Sequence, residues 1–124
     1  MEFNIQGSRP IWAQLAEQLR QRIVTGTYPA GSHFPSVREL AAEAGVNPNT
    51  MQRAMAQLES EGLVITNRTA GRSVTDREEV LAQLRLNLAL ERLEAYFQDL
   101  EALGFSRETA AEMARREGEE NHEQ

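Results

Sequence analysis

The 124-residue chain has no cysteine, so it can form neither a disulfide nor a thiolate metal site, a composition that fits a reducing compartment. Its two histidines, His33 and His122, are too few and too far apart in sequence for a catalytic or metal-binding constellation. No apolar run approaches the roughly 18 residues that a membrane span needs, and the N-terminus lacks the apolar core of a signal peptide. There is no glycine-rich phosphate loop of the Walker or dinucleotide type. These absences predict a soluble, cytoplasmic protein that is not an enzyme and holds no cofactor or metal. With 40% hydrophobic and 6% aromatic residues, the chain can bury a modest core, enough for one small domain with an appendage.

Lysine is absent as well, and all 13 basic residues are arginine, a side chain suited to bidentate contacts with phosphate and guanine. The net charge is −6, which at first argues against a nucleic-acid partner. The charge is unevenly spread. Residues 1–75 carry seven arginines against six acids, whereas residues 76–124 carry six against thirteen. The acidity therefore lies in the C-terminal part, and a local basic face remains possible ahead of it.

The stretch from Ser36 to Gly62 carries the clearest pattern. Ser36 and Glu39 stand at capping-box spacing, and Val37, Leu40, Ala41 and Ala44 form an apolar face at helical intervals. Gly45 supplies a left-handed stop, Val46 anchors the turn, Asn47 caps a second helix, and Pro48 occupies its first position. In that second helix Met51, Ala54, Met55 and Leu58 make the buried stripe. At about 100° per residue, Asn49 and Arg53 point away from it, flanked by Thr50, Gln52 and Gln57. These are side chains that hydrogen-bond base edges and phosphates. Helix, glycine turn and polar helix form a helix-turn-helix, which predicts binding to double-stranded DNA.

The flanks complete a known arrangement. A helix from Pro10 to about Thr25 presents Ile11, Leu15, Leu19 and Ile23, widened by Trp12 and Ala16, with Trp12 expected in the core or an interface. Ser32–Phe34 reads as a short extended piece able to pair with a sheet edge. Leu63–Thr66 and Arg72–Thr75 read as strands joined by a turn. The class is thus mainly α, a winged helix-turn-helix over residues 1–75 with a small β-hairpin wing. Arg68 and Arg72 sit on or beside that wing, where groove or phosphate contacts are made.

From Asp76 the pattern changes. Val80 or Leu81, Leu84 and Leu88 form one stripe, and Leu86, Leu90, Leu93, Phe97 and Leu100 form a second, on a helix from about Arg77 to Leu103. Such a helix is roughly 40 Å long and apolar on more than one side, so a second copy of the chain is its expected cover. Ser106 caps a shorter helix to about Arg116. Residues 76–118 are read as a dimerisation hairpin and 119–124 as a disordered acidic tail. A competing reading makes the leucine-rich helices a docking surface for a different protein, with the chain as an adaptor.

The text PIWAQLAEQLRQRIVTGTYPAGSHFPSVRELAAEAGVNPNTMQRAMAQLESEGLV, spanning Pro10 to Val64, resembles the GntR family of bacterial transcription regulators. PSVREL and VNPNTMQRA are its most specific segments. LGFSRETAAEM near the C-terminus is similar to the closing helix of the small YtrA-type subfamily. The resemblance implies a homodimeric repressor of operons, often ones encoding ABC transporters and the regulator itself. It implies DNA contacts by Arg38, Asn47, Asn49, Thr50 and Arg53, and by the wing around Gly71. Relatives commonly carry glycine at the position of Thr69 and an aromatic residue at that of Ser73, which implies a looser wing tip here. A branch of the family fused to an aminotransferase-like domain needs a lysine for pyridoxal phosphate, and this chain has none. No effector ligand is indicated.

Overall fold

The computed structural model describes residues 2–122. In order, the elements are α1 (Ile11–Val24), α2 (Val37–Ala44), α3 (Pro48–Ser60), β1 (Val64–Asn67), β2 (Gly71–Val74), α4 (Glu78–Ala102) and α5 (Arg107–His122). The chain divides between Arg85 and Leu86 into two compact units.

In the N-terminal unit, local chemistry sets the ends of the helix pair. The Ser36 hydroxyl accepts from the Glu39 amide at 3.1 Å while the Glu39 carboxylate accepts from the Ser36 amide, the reciprocal capping box. Gly45 then turns left-handed at φ +69°, and the Val46 amide reaches back to the Ala41 carbonyl at 3.0 Å, closing α2 in a Schellman-type turn. Asn47 caps α3, its Oδ1 accepting from the Asn49 amide at 2.7 Å, and Pro48 fills the first helical position.

The core forms where α1 and α3 cross. Leu15, Ala16, Leu19 and Ile23 of α1 are buried, as are Met51, Ala54, Met55 and Leu58 of α3 and Leu40 and Ala41 of α2. Ile11, expected to extend the α1 stripe, is 45% exposed. It is the first residue of α1. Phe34 is fully buried and meets the Tyr28 ring edge-to-face at 4.9 Å.

β1 and β2 pair antiparallel in the register Val64↔Val74 to Asn67↔Gly71. Ser32–Phe34 adds a third, short extended segment: His33 bridges Ser73, the Phe34 amide donates to the Arg72 carbonyl, and the Val74 amide donates to the Ser32 carbonyl. The expected pairing with a sheet edge is therefore made, and it covers one side of the wing.

The N-terminal arm is less free than its polar composition suggests. Gln14 pairs with both the amide and the carbonyl of Gln6, and Gln18 does the same with Asn4. Two glutamines at i and i+4 thus act like one edge of a β-ladder and hold the arm along α1.

The division at Arg85 falls later than Thr75, where composition changes. Leu84 is buried within the chain, Val80 and Leu81 are half-buried, and Arg85 donates to the Val24 carbonyl at the end of α1. The opening turns of α4 belong structurally to the N-terminal unit. Leu84, assigned from sequence to the dimerisation stripe, is consumed there.

In the C-terminal unit, the Ser106 hydroxyl accepts from the Thr109 amide at the start of α5. The Tyr96 hydroxyl donates to the Ala110 carbonyl at 2.5 Å. Arg107 pairs with Glu94 and Glu101 and lies over the Phe97 ring. α5 continues past Arg116 to His122, so residues 119–122 are helical and not the disordered tail expected from their acidity. Arg115 supports the helix there, pairing with Glu112 and Glu119 at helical spacing. Those pairs hold the Glu112 carboxyl down at about 2, chiefly through the Arg115 hydrogen bonds. The remainder of that tail, residues 123–124, lies outside the described residues.

A two-point clamp ties α1 to the end of α3. Arg20 donates from Nε and Nη2 to the two carboxylate oxygens of Glu61 at 2.7 and 2.6 Å, and Gln57 adds a third bond. Burial pushes the Glu61 carboxyl up, but these bonds and the Arg20 charge outweigh it, and its pKa lies below the usual value. A depressed pKa contributes stability that is present above the unfolded value and disappears as pH falls through the folded one. Glu61→Gln is expected to cost up to about 1 kcal/mol near pH 7. The gap to the parent should close as the pH drops below about 4. Urea unfolding of both proteins across that range is the check, and a gap independent of pH would show that the charge of Glu61 is not its source.

Candidate nucleic-acid interface

The outward side of the helix-turn-helix is built from residues that the core leaves over. With Met51, Ala54, Met55 and Leu58 turned inward, Asn49, Gln52 and Arg53 are exposed and Thr50 is half-buried. Among the described residues, Asn49, Thr50 and Gln52 make no side-chain hydrogen bond within the chain, so their polar atoms are available to a partner. Asn47 has a double role. Its carbonyl oxygen is spent on the cap, while the amide NH2 remains a donor for a phosphate or base.

The arginines of residues 1–75 sort into two groups. Arg9 pairs with Glu17, Arg20 with Glu61, Arg22 with Glu43 and Arg72 with Glu59. Arg38, Arg53 and Arg68 have no acidic partner among the described residues. Arg38 lies in the first turn of α2, Arg53 on the outward face of α3, and Arg68 in the turn of the wing. The uncompensated cations thus sit on the three elements that a helix-turn-helix with a wing presents to DNA. A chain of net charge −6 thus keeps three arginines uncompensated on these elements.

The wing itself is divided. Gly71 follows the turn at φ +78°, the left-handed conformation a short hairpin link requires, and a Cβ there would stand 3.4 Å from His33 Cε1. Arg68 is exposed, but Arg72 reaches the second half of α3, with Nε on Glu59 Oε1 at 2.5 Å. Of the two wing arginines named from sequence, Arg72 therefore fastens the wing to α3 and Arg68 is the free one. Sequence reasoning did not foresee Glu59, because the two lie thirteen positions apart, across a helix end and a strand.

Two further contacts escaped the sequence. The Arg53 guanidinium lies over the indole of Trp12, 4.4 Å from the ring centroid. Arg22 is buried and joins Glu43 at 2.6 Å and the Tyr28 hydroxyl at 2.5 Å, linking α1, α2 and the loop between them. Burial pushes its pKa down, yet the bonds to Glu43 and Tyr28 outweigh that and keep it charged. A signal existed for Arg22: it follows Leu15 and Leu19 at seven and three residues, inside the apolar stripe of α1. Among the described residues, no three histidines, cysteines or acids cluster as a metal site would require.

Residues 12–74, the α1-to-wing span just described, match the family model "Bacterial regulatory proteins, gntR family". The chain belongs to the GntR family. The HTH-type transcriptional regulator YhcF of Bacillus subtilis is 36% identical over 90% of this chain and 93% of its own length. The HTH-type transcriptional repressor YtrA of the same organism is 30% identical over 84% of this chain and 81% of its own. A GntR-family transcriptional regulator from Listeria monocytogenes has been solved and superposes with a TM-score of 0.80 at 35% identity, covering 90% of this chain and 98% of that one. The protein is thus a winged-helix, DNA-binding transcription regulator of GntR type, and the likeness to YtrA extends past the winged helix into the C-terminal helices.

Arg53→Ala is expected to weaken binding to a specific duplex about ten- to a hundredfold at fixed salt, the worth of one bidentate base contact. Arg72→Ala should cost less, since Glu59 already compensates its charge. Anisotropy titrations of both variants on specific and random duplexes test this. Equal losses for Arg53→Ala on both duplexes would assign it to phosphate, and an Arg72 effect as large as that of Arg53 would mean that the Glu59 pair opens on DNA.

Proposed function

We propose that this GntR-family protein acts in the cytoplasm as a homodimeric repressor of an inverted-repeat operator. The exposed second stripe of α4 carries the proposal. Leu86, Leu90 and Leu93 are 50, 51 and 44% exposed, with Leu88, Phe97 and Leu100 half-buried beside them. A row of leucines left in water is costly at about 25 cal/mol for each Å² of apolar surface, and a second copy offers the same row in return. A two-fold dimer presents two copies of α3 related by symmetry, so the half-sites on DNA should be inverted.

Repression fits the name given to YtrA of Bacillus subtilis, which is called a repressor. The family resemblance extends the proposal to an operon for an ABC transporter together with the regulator's own gene. DNA contact falls to Arg38, Asn47, Asn49, Thr50, Gln52, Arg53 and Arg68, with Gly71 and Arg72 shaping the wing.

Leu90→Glu is the decisive substitution for assembly, because it places a charge in the middle of an exposed leucine row. Sedimentation equilibrium should give a dimer for the parent and a monomer for the variant. The variant should bind a single half-site as the parent does and lose roughly a hundredfold or more on the full operator, as linked sites give up their effective concentration. A parent chain that sediments as a monomer would overturn the homodimer, and a variant that stays dimeric would move the interface elsewhere.

A further inference from the structure

We propose that Trp12 of α1 is a positioning residue for DNA recognition, holding the Arg53 guanidinium in place on the outward face of α3 without neutralising it. The inference rests on the DNA-binding reading of α3. It begins from the 4.4 Å separation between the Arg53 guanidinium carbon and the Trp12 ring centroid. Trp12 is half-buried and Arg53 is exposed, so the indole is the platform and the arginine the group presented to solvent.

The physical consequence depends on how the arginine is held. Arg72 is fixed by a carboxylate, which occupies its Nε–H and offsets its charge in the same contact. A π face attracts the cation through the ring quadrupole and takes up no N–H donor. Arg53 on Trp12 therefore keeps its full charge and its donor fork for a guanine or a phosphate. It also loses rotamer freedom before DNA arrives. Ordering a long side chain in advance is a cost that binding then avoids, corresponding to roughly three- to tenfold in affinity.

The placement of Trp12 supports this role over a purely apolar one. Leu15, Ala16 and Leu19 seal α1 against α3 without it, all at 1% exposure or less. Trp12 is the chain's single tryptophan, so the emission reports the surroundings of this indole, Arg53 among them.

The test uses the full chain and a duplex that it enriches from a random-sequence library. Affinities are measured by anisotropy at fixed salt for the parent, Trp12→Leu, Trp12→Tyr, Arg53→Ala and the Trp12→Leu/Arg53→Ala double variant. Trp12→Leu should lose about three- to tenfold on the enriched duplex. Trp12→Tyr, which keeps an aromatic face, should retain most of the affinity. In the Arg53→Ala background, Trp12→Leu should cause no further loss, a coupling that a packing role would not produce. Tryptophan emission of the free protein should change in Arg53→Ala and, in the parent, on adding the duplex.

Equal losses from Trp12→Leu with and without Arg53 would overturn the inference while leaving the regulator reading intact, as would an emission spectrum indifferent to Arg53→Ala. A library from which no duplex is enriched would overturn the DNA reading and this inference with it. Matching thermal unfolding curves for Trp12→Tyr and the parent keep the comparison on folded protein.

Discussion

The contact on which the DNA-facing surface depends is the dry seam between α1 and α3. Met51, Ala54, Met55 and Leu58 meet Leu15, Ala16 and Leu19 with almost no residual exposure. Because the helix repeats every 3.6 residues, burying that stripe leaves Asn49, Gln52 and Arg53 outside in one orientation only. The specificity of a reading helix requires that its outward side chains do not rotate about the helix axis, and an apolar seam of this completeness fixes that rotation. The Arg20–Glu61 clamp at the far end of α3 and the Arg72–Glu59 pair beside it add polar restraint where the seam ends.

The ion pairs also shape the electrostatics. A chain with an excess of acids presents a cationic face only if its acids are placed against arginines that do other work. Glu17, Glu43, Glu59 and Glu61 each take an arginine that holds an arm, a loop, a wing or a helix in place. Arg38, Arg53 and Arg68 remain outside that set, and they stand on α2, α3 and the wing turn, the elements proposed to face DNA. The exposed pairs contribute little to stability individually. Their placement matters more through the charge they leave uncompensated on the proposed DNA side.

The wing shows a similar economy. A two-stranded hairpin alone is marginal in water. Here the segment around His33 adds hydrogen bonds along β2, Arg72 anchors the strand to α3, and Gly71 allows the tight link. α4 follows a different logic. Its two apolar stripes face different ways: the first is used up by the N-terminal unit at Leu84, and the second remains exposed at Leu86, Leu90 and Leu93.

What the sequence alone determined is the set of features decided within one or two turns of chain. The Ser36–Glu39 box, the Gly45 stop, the Asn47–Pro48 start and the inward stripe of α3 from Met51 to Leu58 are each set by residues close together in sequence, and the structure has each of them. Spacing at short range fixes which backbone donors are capped and which face is apolar, and no distant residue is needed. The tertiary structure decided which charges are spent. Trp12 beneath Arg53, Glu59 on Arg72, Glu61 on Arg20 and Glu43 on Arg22 join residues from separate elements. Their pairing depends on how helices cross, and a linear pattern of arginines and acids permits many such pairings. The helical end of α5 lies between the two cases. Its Arg115 pairs are local, but the acidic composition suggested disorder, and only the folded helix brings each acid one turn from its arginine.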